Sequence, residues 1–206
     1  MSFNIYLDYP KKLLKTKMSV PYNPRQDDVI WRICEVLNKN GDIEFRIDGF
    51  KKDEVRYNWN KELSRFNLTT DWDLAMAMEQ IPSVIKSLNE NNYSFSISFY
   101  EEGSEFNLLF EEFSHNLVKV KYESYNHKAP INSKPINNNT GYYSCVVCAS
   151  SEAFIKKESL KKMMIKLYKD FIFVSERLCG NLLEVKDDSI QSFLNIKHMV
   201  EKGEED

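Results

Sequence analysis

Val29, Ile30, Ile33, Val36 and Leu37 recur at helical spacing after Asn23-Pro24 and the acids Asp27 and Asp28. Proline suits the first turn of a helix and carboxylates favour the positive end of its dipole, so a helix is predicted here, ending at Asn40-Gly41. Asp42 to Asp48 then alternates polar with apolar residues in the period of a half-buried strand. Gly49 to Leu68 is less periodic, although Val55, Tyr57 and Trp59 stand on alternate positions and fit a further short strand.

Thr70-Asp71-Trp72-Asp73 has the spacing of a capping box, and Leu74, Ala77, Met78, Ile81, Val84, Ile85 and Leu88 mark one face of the helix it would open. Pro82 lacks an amide hydrogen and crowds the Met78 carbonyl, which predicts a kink or a break. Three strands are expected next, around Tyr93–Phe99, Phe106–Phe110 and Leu117–Tyr122, joined by turns containing Gly103 and Asn116. Residues 126–141 hold two prolines and few large apolar groups and read as a flexible loop. A strand from Tyr142 to Ala149 follows, with Ser150 or Ser151 as the cap of a long helix. On that helix Leu160, Met163, Met164, Leu167, Tyr168, Phe171, Val174 and Leu178 form the apolar face. Lys157, Lys161, Lys162, Lys166 and Lys169 lie mostly elsewhere around its axis. Gly180 is a suitable stop, Ser189 to Val200 a short last helix, and Glu201 to Asp206 an acidic C-terminal tail. The expected class is α+β, a single domain over residues 1–206 with an antiparallel sheet of about five or six strands packed against several helices.

Apolar residues make up 42% of the chain and aromatic ones 13%, enough to build a core and too much for a disordered chain. No apolar run approaches the roughly 18 residues of a membrane span, and the N-terminus lacks the long apolar region of a secretory signal, so no membrane association and a cytoplasmic location are expected. Residues 1–25 carry five basic and one acidic side chain, residues 26–112 nine and eighteen, and residues 113–206 fourteen and twelve. An acidic middle argues against nucleic acid as a direct ligand.

Cys145-Val146-Val147-Cys148 has the spacing that zinc and redox sites use. Its β-branched valines supply no turn, however, and positions three apart in a strand face opposite sides of the sheet. Two small apolar strand residues is the preferred reading; a metal-binding or redox protein using the Cys145/Cys148 pair is the alternative. His115, His127 and His198 show no ligand spacing, no Gly-x-Ser-x-Gly elbow occurs, and the six glycines form no phosphate-cradling loop. Asp71 and Asp73 suit the first turn of a helix better than an acid/base pair. Neither catalytic residues nor a cofactor nor a metal site is expected, and the chain reads as a non-enzyme.

Glu101, Glu102 and Glu105 lie at a probable hairpin turn and Glu111 and Glu112 at the far end of the next strand, with no Lys or Arg between Asn89 and Ser114. Besides solubility, such an acidic run suits a surface that steers a basic partner. The helix with Trp31, the Phe45-Arg46-Ile47-Asp48-Gly49-Phe50 turn, Trp59, the Thr70-Asp71-Trp72-Asp73-Leu74 helix start, the Phe99-Tyr100-Glu101-Glu102-Gly103 turn and the closing helix after Ser150-Ser151 follow one another in order. Over roughly residues 25–180 this order resembles the immunity proteins of bacterial polymorphic-toxin and contact-dependent growth inhibition systems. The resemblance implies a small cytoplasmic inhibitor that binds one cognate toxin effector domain without catalysis. The toxin-binding residues to expect are then Glu101, Glu102, Glu105, Glu111 and Glu112.

Overall fold

The computed structural model describes residues 3–11, 29–39, 42–51, 59–60, 65–66, 68–101, 104–126, 146–180 and 188–196. Strand β1 (Asn4–Asp8) precedes helix α1 (Val29–Lys39), β2 (Glu44–Asp48), the two-residue strands β3 (Trp59–Asn60) and β4 (Arg65–Phe66), and helix α2 (Trp72–Asn89). Then come β5 (Phe95–Glu101), β6 (Ser104–Glu112), β7 (Leu117–Asn126), β8 (Val146–Lys156), α3 (Lys157–Cys179) and α4 (Asp188–Asn195). The α+β class is as expected, with every strand pairing antiparallel. The strands are divided: β5-β6-β7-β8 form a four-stranded meander, β1 pairs with β2, and β3 with β4.

Alternation decides the two faces of the meander. Ile97, Phe99, Phe106, Leu108, Phe110, Val118, Val120, Tyr122, Ala153 and Ile155 are buried on one side. Phe95 and Phe110, in register across β5 and β6, stack with centroids 4.5 Å apart, and Phe99 and Phe106 do so at 4.4 Å. The β1–β2 ribbon and its flanks add a second aromatic tier, Phe3 on Phe110, Phe45 on Phe99 and Phe50 on Tyr122. These rings and the apolar faces of the four helices join one hydrophobic core. On the other side of the meander the described residues are partly or fully exposed, except the buried Glu123.

β5 is an edge strand, and its exposed backbone would invite another strand. Gln80 of α2 blocks it by imitating a peptide unit. Its Oε1 accepts from the Ser98 amide at 2.9 Å and its Nε2 donates to the Ser98 carbonyl at 3.0 Å.

Several elements depart from the sequence expectations. Phe3, Ile5 and Leu7 are buried on alternate positions, and Ile5 and Leu7 lie in β1, a strand not predicted from the sequence. The capping box is shifted by one residue: Thr69 Oγ1 accepts from the amides of Trp72 and Asp73, and Asp73 Oδ2 accepts from the Thr69 amide at 2.7 Å. Thr70 is buried and donates instead to the Ile43 carbonyl at 3.0 Å. Pro82 does not break α2, which runs unbroken for 18 residues. β8 continues past Ser150 and Ser151 to Lys156, because Ser151, Ala153 and Ile155 alternate inward while Glu152, Phe154 and Lys156 point out. Helix α3 therefore starts at Lys157, with no side-chain cap. Its predicted apolar face is buried in full, and it stops at Gly180, whose φ of 88° favours glycine. The last helix spans Asp188–Asn195, and residues 197–200 of its expected range lie outside the described residues. The start of the first helix before Val29, residues 127–141 of the loop and the acidic tail lie outside the described residues.

Candidate functional site

Strand β6 sets the geometry of the acidic run, because it carries Glu105 near one end and Glu111 and Glu112 at the other. Glu105 and Glu111 stand six positions apart along the strand, about 20 Å, so β6 sets Glu111 and Glu112 well apart from Glu105. At the hairpin end Glu101 stands in register with Ser104, and Glu105 lies between Tyr100 and Tyr125; Glu102 lies outside the described residues. Glu111 and Glu112 are exposed, and each holds a lysine that the chain supplies later. Lys119 Nζ of β7 meets Glu111 at 2.9 Å, and Lys157 Nζ of α3 meets Glu112 at 2.5 Å. The hydrogen bond from Lys119 holds the Glu111 carboxyl below the usual carboxylate range. The interval without lysine or arginine in the sequence is thus neutralised at this end by residues brought from other elements.

Beside these pairs lies a feature the sequence reading missed. Phe113 and Phe154 are 60% and 43% exposed, and their rings meet edge to face with centroids 5.1 Å apart. Trp72 and Phe173 are also exposed, but each rests on a partly buried neighbour, Trp31 and Tyr9 respectively. In the Phe113–Phe154 pair both rings face solvent. The turn beneath it is firmly held. The amides of Phe113 and Ser114 both donate to the Leu117 carbonyl, and the Lys157 amide donates to Asn116 O at 3.0 Å. Glu111, Lys119 and Glu152 run beside the rings on the outer face, with Lys119 Nζ reaching Glu152 at 3.7 Å. The signal for Phe154 was its odd parity with Ala153 and Ile155, which becomes visible once β8 is read through to Lys156.

The chain matches no protein-family model, no curated protein and no solved structure.

Of the remaining candidates, Cys145, His127 and His198 lie outside the described residues. Cys148 is the residue skipped where the β7–β8 register shifts between Ser124 and Tyr125, a β-bulge. His115 is exposed in the β6–β7 turn, its Nδ1 3.0 Å from Asn116 Oδ1. Asp71 and Asp73 both serve the start of α2. Burial pushes the Cys179 thiol up to about 11, which disfavours the reactive thiolate, and Cys34 is fully buried. Among the described residues no three His, Cys, Asp or Glu side chains group to hold a metal ion, and no helix is long and apolar enough to cross a membrane.

Proposed function

We propose that this protein is a non-catalytic cytoplasmic immunity protein that binds and neutralises one cognate toxin domain through the outer face of its four-stranded sheet. The observation that carries the reading is the Phe113–Phe154 pair, one exposed ring on a pinned turn and one on β8, beside the charged row Glu111, Lys119 and Glu152. Aromatic anchors surrounded by a charged rim are the composition of an interface hot spot, and rings already held in place lose little freedom on binding. The order of segments that resembles immunity proteins supports the same reading. At the opposite end of β6 the hairpin glutamates Glu101, Glu102 and Glu105 steer the approach of a basic toxin surface, and Glu111 and Glu112 form the rim of the aromatic anchor.

Co-expression with the product of the adjacent upstream gene tests the role, and a stable one-to-one complex is expected. Phe113→Ala with Phe154→Ala should leave the fold intact and raise the dissociation rate by about 10³-fold, the loss of two anchors at roughly 2 kcal/mol each. Absence of a complex refutes the immunity role. A complex indifferent to the double substitution removes this surface from the interface.

A further inference from the structure

On the far side of the β6–β7 turn an open groove of about 1250 Å³ runs along the solvent face of α3, bounded by Asn91 and Tyr93 and by His115 and Asn116. Five lysines line it, Lys157, Lys161, Lys162, Lys166 and Lys169, against three carboxylates, Glu112, Glu158 and Asp170. Each carboxylate holds one lysine: Glu112 binds Lys157, Glu158 binds Lys162 and Asp170 binds Lys166. Lys161 has no such partner among the described residues, so the groove carries a surplus of positive charge. Its wall and floor are not wholly polar. Lys157 lies 4.7 Å over the Tyr93 ring, and Ile165 is buried between turns of lysine.

The geometry points to an acidic, extended segment of a partner protein as the ligand of this groove. Lys157, Lys161, Ile165 and Lys169 succeed one another at intervals of four residues, steps of about 6 Å along a row that winds about 120° around the helix. An extended peptide sets side chains of one face about 6.8 Å apart, so acids at alternate positions match the spacing of neighbouring lysines such as Lys157 and Lys161. A nucleic-acid strand carries a charge on every residue and would set phosphates against the three carboxylates as well as the lysines, whereas a peptide can place acids at the lysines and neutral residues between them. A peptide carboxylate competes for lysines already held by carboxylates on equal chemical terms. This inference stands apart from the immunity reading in its ligand and, but for the shared Glu112, in its surface.

A fluorescein-labelled peptide of alternating glutamate and alanine, followed by anisotropy against the intact chain, tests it. Saturable binding that weakens as salt is raised is expected, and Lys161→Glu with Lys162→Glu should weaken it about tenfold or more. Circular dichroism of that variant checks its fold, and Lys161→Ala alone should give a smaller loss in the same direction. The Phe113→Ala/Phe154→Ala protein should bind the peptide as the parent does, which separates this site from the aromatic surface. No binding by the parent, equal binding by the lysine variant, or binding of an oligothymidylate in preference to the peptide would each overturn the proposal.

Discussion

The two faces of α3 use the same backbone for opposite ends. One face buries Leu160, Met164, Leu167, Tyr168, Phe171, Val174 and Leu178 in the core, and Tyr168 donates to the Phe193 carbonyl at 2.8 Å to hold α4. The other presents lysines to solvent, most of them paired within a turn or to Glu112. The contrast teaches how unevenly energy is distributed around a helix. Burial of a large apolar side chain stabilises by about 1.5–3 kcal/mol, whereas an exposed ion pair is worth little.

The comparison breaks most sharply if a charge is placed on each face in turn. Leu167→Asp or Phe171→Asp puts an unpaired carboxylate where exposure is 1% and 0%, and should cost more than about 4 kcal/mol and unfold the chain. Lys161→Asp should shift the melt only slightly. Circular dichroism melts in the reverse order would mean that the buried face has been wrongly assigned.

The seam between the faces offers a finer test. Asp170 is 8% exposed, accepts from Tyr9 Oη at 3.0 Å and pairs with Lys166. Asp170→Ala should cost about 1–2 kcal/mol by leaving the Tyr9 hydroxyl without its acceptor. Burial first, and the Asp170 charge second, push the Tyr9 hydroxyl up to about 12 from 10.0, so the folded chain holds that proton more tightly than the unfolded one. Its contribution to stability is whole below pH 10.0 and is lost as pH rises through about 12. Denaturant titrations across that window should show a steeper fall for the parent than for Tyr9→Phe, and parallel curves would count against the assignment.

The smallest effect concerns a flaw within the buried face. Ser175 is fully buried and its Oγ has no hydrogen-bond partner among the described residues. Ser175→Ala removes that unsatisfied group and should raise stability by up to about 1 kcal/mol. A loss in chemical denaturation would show that the hydroxyl has a role on this face.

Much of the fold was legible because local periodicity reports burial directly. The apolar positions of α1, α2 and α3 read from spacing are all buried, and the strands from Phe95 to Tyr122 pair in sequence order. Where signals competed, reading failed. Thr69 and Thr70 are equivalent as cap residues until the Ile43 carbonyl claims the second, and Ser150-Ser151 looks like a cap until alternation is followed to Lys156. The short alternation around Ile5 and Leu7 becomes a strand by pairing with β2, Ile5 against Ile47 and Leu7 against Phe45.

The order of residues alone sets which positions are apolar and at what period, and through that the longer helices and meander strands and the face each turns inward. Only the tertiary structure decided what the outward faces do. Glu112 and Lys157 are 45 positions apart, and the β7–β8 register together with the β6–β7 turn makes them an ion pair and sets Phe113 against Phe154. It also turns five lysines of one helix into the lining of a groove with Tyr93 and His115. The physical reason is range: periodicity is a property of neighbours along the chain, whereas an ion pair, a ring contact or a groove depends on where distant segments come to rest.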